Sequence, residues 1–244
     1  MKIAFLNQKG GTGKSTSCLN VGAALAGTGK KVLLVDMDPS GNLTNMAGVN
    51  EPEETIASII NGGSTPARVS QIIIHLPAGY DLIPSDIRTA AAETEDPYKL
   101  RKGLRYLGYD YILFDCAPSL EKNTAQALTA ADQVIIPVVP QPLPMMGIAQ
   151  ILETISTIKR NTNQSLQLLG ILITLADTRR AMDRAMIKSI RESYPEETFS
   201  EIIKSNSKIA ESTFFQQDIF QYDPKGSPAL AYKNIADEIE ERTR

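Results

Sequence analysis

Apolar residues along the chain gather in short unbroken runs, separated by longer stretches in which they recur every three or four positions. The runs lie at Lys2–Asn7, Val32–Val35, Ile72–Ile74, Leu82–Ile83, Tyr111–Phe114, Val134–Val139 and Leu168–Thr174. A run of this length with no polar alternation reads as a strand buried on both faces, and the helical spacing from Ser15 to Leu25 and in most of the longer gaps reads as intervening helices. The alternation predicts an α/β fold: a mostly parallel, twisted sheet with helices on both faces. In such sheets ligands bind beyond the carboxyl ends of the strands, where Gly10, Asp38 and Asp115 all fall. No linker, repeat or low-complexity tract breaks the pattern. Asn61–Pro66 is a surface loop too short to separate domains, so a single domain over 1–244 is expected.

Composition narrows the class. A chain of 244 residues with 42% hydrophobic content can bury a substantial core. No apolar run is long enough to span a bilayer, and Met1-Lys2-Ile3 enters a strand directly, so a cytoplasmic protein without a signal peptide is expected. Cys18 and Cys116 lack metal-ligand spacing and read as small core residues. His75, the only histidine, reads as the end of a strand. A net charge of −3 argues against a wholly basic nucleic-acid binder but leaves room for a local patch.

The chemistry is concentrated between the first strand and the first helix, in Lys9-Gly10-Gly11-Thr12-Gly13-Lys14-Ser15-Thr16. Glycines in a strand-to-helix loop let successive N–H groups converge on phosphate oxygens at the positive end of the helix. Lys14 is then placed to reach the β- and γ-phosphates of ATP, and the Ser15 hydroxyl to ligate Mg²⁺. Gln8 stands where the common phosphate-loop pattern has a glycine, and Lys9 adds a second cation. The bland alternative is a glycine-rich turn with two exposed lysines.

Two acidic motifs accompany the loop. In Asp36-Met37-Asp38-Pro39-Ser40-Gly41-Asn42, strand alternation sends Asp36 and Asp38 to the same side. Asp38 is expected to orient or deprotonate the attacking water, and Asp36 to support Mg²⁺. Asp115, at the end of the strand in Tyr109–Pro118, fits the role of holding Mg²⁺ through water.

These residues resemble the ParA family of partition ATPases, the deviant Walker A group of P-loop NTPases that includes MinD and the nitrogenase iron protein. Asp36–Asn42 is similar to the family's Asp-x-Asp-Pro-Gln-Gly-Asn, with Ser40 in place of Gln. Leu82-Ile83-Pro84-Ser85, Asp115-Cys116-Ala117-Pro118-Ser119 and the tail from Tyr222-Asp223-Pro224-Lys225 through Ala231-Tyr232 to Ala236 also look like segments of the short, Soj-like ParA proteins. The resemblance implies a Mg²⁺-dependent ATPase in which Lys9 reaches the nucleotide of the other subunit, so that a homodimer sandwiches ATP. It further implies sequence-independent binding of double-stranded DNA by the ATP state, nucleoid association, and a ParB-like centromere-binding adaptor that stimulates hydrolysis.

Candidate DNA contacts are Arg180, Arg184, Lys188 and Arg191, set at helical spacing beside Arg179, together with Lys204 and Lys208. Lys208 occupies the place of a DNA-contacting arginine in the family. A solvated helix face balanced by Asp183 and Glu192 is the other reading of the basic stretch. The segment Val138–Gly147 departs from the family pattern and reads equally as loop and core. The acidic tail Ile235–Arg242 does not suit a MinD-like membrane helix, and neither cysteine suits a bridging cluster. Asp38 and Asp115 argue against a non-hydrolysing scaffold. A ParA-like ATPase that positions a protein cargo or organelle remains the main alternative. No N-terminal helix-turn-helix is expected ahead of the first strand.

Overall fold

The computed structural model describes residues 1–119, 122–141 and 144–244. Among the described residues, seven strands form one sheet: β1 (Lys2–Phe5), β2 (Val32–Asp36), β3 (Ile74–His75), β4 (Asp81–Ile83), β5 (Tyr111–Asp115), β6 (Gln133–Val138) and β7 (Gln167–Ile173). Their order is β3-β4-β2-β5-β1-β6-β7, parallel throughout except for β3 against β4. The helices are α1 (Lys14–Gly27), α2 (Asn42–Met46), α3 (Ile56–Asn61), α4 (Pro66–Ser70), α5 (Lys99–Gly103), α6 (Lys122–Ala130), α7 (Pro144–Asn161), α8 (Ala181–Ser193), α9 (Ser207–Phe214), α10 (Ile219–Tyr222) and α11 (Ser227–Arg242), with a 3-10 turn at Ile87–Ala91.

Side chains of the central strands alternate between two cores. Ala4, Leu33, Val35, Ile112 and Phe114 pack with α3, α5, α6 and α7 on one face. Ile3, Phe5, Val32, Leu34 and Leu113 pack with α1 and α11 on the other, against Leu19, Leu25, Tyr232, Ile235 and Ile239. Each fully buried apolar side chain contributes roughly 1.5–3 kcal/mol, so a strand covered on both faces needs no polar positions and reads as an unbroken run. That is why the sequence pattern located β1, β2, β5, β6 and β7 to within a residue or two.

The short runs were less legible. The strand expected at Ile72–Ile74 is the two-residue β3 at Ile74–His75, antiparallel to β4. Ile72 instead closes a turn on Val69 and is buried in the core. A three-residue apolar run carries no periodicity that separates an edge strand from a core anchor. His75 does end a strand, and its Nδ1 lies 2.8 Å from Asp81 Oδ1 at the far edge of the sheet. Cys18 and Cys116 are both free thiols in the core, as expected of them. No helix among the described residues is long and apolar enough to cross a membrane.

Candidate functional site: the phosphate loop and its acids

β1 ends at Phe5 and α1 begins at Lys14, so the loop carrying the two lysines hangs at the carboxyl edge of the sheet. Gly11 and Gly13 have φ of 72° and 76°, left-handed values that allow the loop to fold over the helix start, and Gly13 is the N-cap of α1. Two polar residues fix the loop to neighbouring strands. The Asn7 side-chain amide donates to the Pro137 carbonyl (2.6 Å), while its Oδ1 accepts from the Lys9 amide (2.9 Å). Thr174, just past β7, donates its hydroxyl to the carbonyls of Thr12 (2.8 Å) and Val138 (3.1 Å). Thr174 was missed as a site residue; the only signal in the sequence was a polar residue closing an apolar strand.

The two lysines of the loop occupy different environments. Lys14 is 7% exposed, and its ammonium lies back across the loop toward the Lys9 carbonyl (3.4 Å). Lys9 is exposed and directs its ammonium outward to the side chain of Gln141, beyond β6 (2.5 Å). Ser15 and Thr16 form the first turn of α1 and are half-buried, while Gly10 and Gly11 are exposed. The loop therefore brings Lys14 and Ser15 to its inner side and leaves Lys9 on its outer side.

The acids come together through sheet register. Asp36 and Asp115 end adjacent parallel strands and are direct register partners, and both are wholly buried. Asp38 does not extend the strand alternation, because β2 stops at Asp36 and the chain turns. Its amide donates to Asp36 Oδ1 (3.0 Å), and its own carboxylate accepts from the Ser40 amide (2.9 Å). The proximity of Asp36 and Asp38 is thus a product of the loop, not of strand pleating. Asp36 Oδ2 accepts from the amide (2.9 Å) and the hydroxyl (2.7 Å) of Thr44, another residue that the sequence reading did not single out.

Burial pushes the Asp36 carboxyl up to about 6 against the pull of these hydrogen bonds. Burial, then repulsion from Asp36, holds Asp115 well above the usual carboxylate range; Ser15 and Lys14 oppose this. Neither Asp115 oxygen has a hydrogen-bond partner of proper geometry among the described residues; the Ser15 hydroxyl is near but not so aligned. A buried carboxylate with no donor is costly, and a cation with its water shell would satisfy it. The donors at hand, a carboxylate and the Ser15 hydroxyl, are hard oxygens that suit Mg²⁺. Among the described residues no three His, Cys, Asp or Glu converge on one point. An ion here would take its remaining ligands from phosphate and water, as Mg²⁺ usually does.

A family model described as an AAA domain matches residues 1–168. Over its full length the chain is 37% identical to the chromosome-partitioning ATPase Soj of Thermus thermophilus, covering 96% of that protein. It is 32% identical to the chromosome partitioning protein ParA of Caulobacter vibrioides, with 99% of this chain and 94% of the relative aligned. The chain belongs to the ParA family of partition ATPases. Among solved structures, a Mycobacterium smegmatis protein described as cobyrinic acid a,c-diamide synthase, with bound ATP analog and magnesium, superposes with a TM-score of 0.82 at 32% identity, over 97% of this chain and 92% of the other. Nucleotide together with magnesium thus occurs in this ParA-like fold.

Of the candidate DNA contacts, Arg184, Lys188 and Arg191 line one shallow depression beside Ile187 and Ile202. Arg180 is the N-cap of α8 and not a helical residue, so it does not share the face expected for it; its guanidinium lies 3.5 Å from Asp177. Arg179 is paired with Asp177 at 2.9 Å. Arg184 donates to the carbonyls of Thr178 and Arg179, and Arg191 to that of Ser200. Lys188 pairs with Glu192 (3.6 Å), whereas Asp183, the other expected counter-charge, accepts from the Asp177 amide. Lys208 is held by Glu211 (2.8 Å) and lies over the Tyr222 ring, whose hydroxyl also binds Glu211. Lys204 is exposed and has no ion pair among the described residues. Of Val138–Gly147, Pro142 and Leu143 lie outside the described residues.

Proposed function

We propose that this protein is a Mg²⁺-dependent ATPase switch for partition of a plasmid or chromosome. It dimerises around two ATP molecules, and the dimer binds double-stranded DNA without sequence preference. The single observation that carries the reading is the division of the two loop lysines, Lys14 buried inside the loop and Lys9 exposed on its outer face. Lys14 and the loop amides would hold the phosphates, and Ser15 with Asp115 would hold Mg²⁺, with Asp36 lending its charge. Bound Mg²⁺ would neutralise charge on the β- and γ-phosphate oxygens. Asp38, half-buried at the loop edge, orients the attacking water.

Lys9 turns away from the protein's own phosphate cradle toward Gln141, and this outward direction supports a role for it on the nucleotide of a second protomer. Triphosphates repel one another, and a lysine from each partner offsets that repulsion when the two faces meet. Loss of the γ-phosphate removes some of the attraction and releases the dimer. The Thermus thermophilus and Caulobacter vibrioides relatives, which align along nearly the whole of this chain, are named for chromosome partition, which favours DNA segregation with a ParB-like adaptor over the positioning of a protein cargo.

The test is Lys9→Ala. Each charge-assisted bond is worth about 1.5–3 kcal/mol, so losing two per dimer should weaken association at least about a hundredfold while nucleotide affinity stays near that of the parent. Sedimentation velocity with Mg²⁺ and a non-hydrolysed ATP analogue reads this out. A dimer of normal strength in the variant removes the trans role.

A further inference from the structure

The two oxygens of Asp36 pin both ends of the loop that carries Asp38: Oδ1 takes the Asp38 amide, and Oδ2 takes the Thr44 amide and hydroxyl. From Thr44 a row of hydrogen bonds leads away from the phosphate loop. Thr44 Oγ1 accepts from the Ser85 amide (2.9 Å), Ser85 Oγ donates to Thr89 Oγ1 (2.9 Å), and the Thr89 carbonyl accepts from the Asn123 side-chain amide (2.7 Å). The row joins the Asp38 loop, the end of β4, the 3-10 turn and the first turn of α6. None of its four members is more than 6% exposed.

A second contact ties the same pieces together. Gly41, in the Asp38 loop, has φ 61°, and a Cβ on it would stand 2.9 Å from the Ser85 carbonyl oxygen, so loop and strand end touch backbone to backbone. At the other end, the Thr124 hydroxyl of α6 donates to the Ser119 carbonyl (2.8 Å), in the segment that follows Asp115. Because Asp115 is itself the register partner of Asp36, the path closes into a ring around the catalytic edge.

Four polar side chains in a dry interior are a costly way to fill space that apolar residues would fill at no desolvation cost. A continuous row has another property: each bond in it constrains the next, so a displacement of one member is carried along, although Asn123 Oδ1 at its end has no partner among the described residues. We propose that Thr44, Ser85, Thr89 and Asn123 form a positioning relay, which sets the place of Asp38 and couples it to the segment after Asp115. The proposal rests on the hydrolytic reading above and adds to it the residues through which the two acidic segments act together. Thr44 and Ser85 are positioning residues, acting through Asp36 and the Asp38 loop.

Thr44→Val keeps the shape and removes the hydroxyl. It is expected to lower kcat at least about tenfold with KM and Mg·ATP affinity within about twofold, while Thr44→Ser stays within about twofold of the parent throughout. Ser85→Ala breaks only the middle of the row and is expected to lower kcat about three- to fivefold, non-additively with Asn123→Ala. In the unliganded chain, Ser85→Ala should raise amide exchange in residues 38–42 and in the first turn of α6 together. Unchanged kcat in both variants, equal losses in affinity and kcat, or exchange confined to the 3-10 turn overturns the relay. Should Thr44→Val not fold, the Ser85→Ala kinetics and exchange decide. A parent without ATPase activity defeats the hydrolytic reading instead, and the exchange experiment still judges the coupling.

Discussion

Replacing Asp115 by Asn tests whether the site is built around a missing positive charge. The carboxylate is wholly buried, faces Asp36 across the register, and has no hydrogen-bond partner among the described residues. Asn keeps the shape and removes the charge. An unsatisfied buried polar group costs about 1–3 kcal/mol and a charged one more, so the change should stabilise the ligand-free protein by about 1–2 kcal/mol near neutral pH. For a chain of this size that is a rise in Tm of about 2–8 °C. The pH dependence has a definite sign. Burial raises the folded carboxyl above its unfolded value, so the folded parent binds the proton more tightly, and the stability linked to that proton is lost as pH rises. The gap between variant and parent therefore widens as pH rises above the ordinary carboxylate range. Asp36, pushed up to about 6, contributes its own stability below the ordinary carboxylate value and loses it as pH passes about 6; because the two acids repel each other, removing the Asp115 charge also eases ionisation of Asp36, in the same direction as the main effect. Nucleotide at a hundredfold its Kd adds about 2.7 kcal/mol, and the variant should forfeit the share that requires Mg²⁺. Thermal unfolding across that pH range, with and without Mg²⁺ and a non-hydrolysed analogue, gives every term. A variant less stable than the parent at the alkaline end, or one that Mg²⁺ still stabilises in full, refutes the reasoning.

Further tests address the loop, the surface and the carboxyl-terminal helix. Thr174→Val removes the hydroxyl that bridges the Thr12 and Val138 carbonyls, and should cost about 1 kcal/mol of stability and weaken nucleotide binding about five- to tenfold by calorimetry. Lys204→Ala should flatten the slope of log K against log salt for duplex DNA by about one unit, whereas Lys208→Ala, whose ammonium is held by Glu211, should change it by less than about half a unit. Arg242→Ala removes an ion pair with Glu238, bonds to the Leu169 and Thr198 carbonyls and stacking on Phe199, and should cost about 2–4 kcal/mol in denaturant unfolding.

The sequence by itself determined the parallel sheet, the phosphate loop and the family. Strands covered on both faces must be apolar throughout, and a loop that wraps phosphate must place glycines and lysine at fixed spacing, so local pattern carries both. Asp36 and Asp115 were visible as strand-end acids for the same reason, and Asp38 as the acid in the loop that follows Asp36. What the pattern could not decide was which of them meet. Strand order is set by which faces pack best among elements far apart in the chain, and only that order makes Asp36 and Asp115 neighbours. The two-residue β3, the displacement of Arg180 from the α8 face, and the pairing of Lys208 with Glu211 depend likewise on contacts that no window of sequence contains. Thr44, Ser85, Thr89, Asn123 and Thr174 are ordinary polar letters in the chain. Their role arises from burial beside one another, and burial is a property of the folded whole.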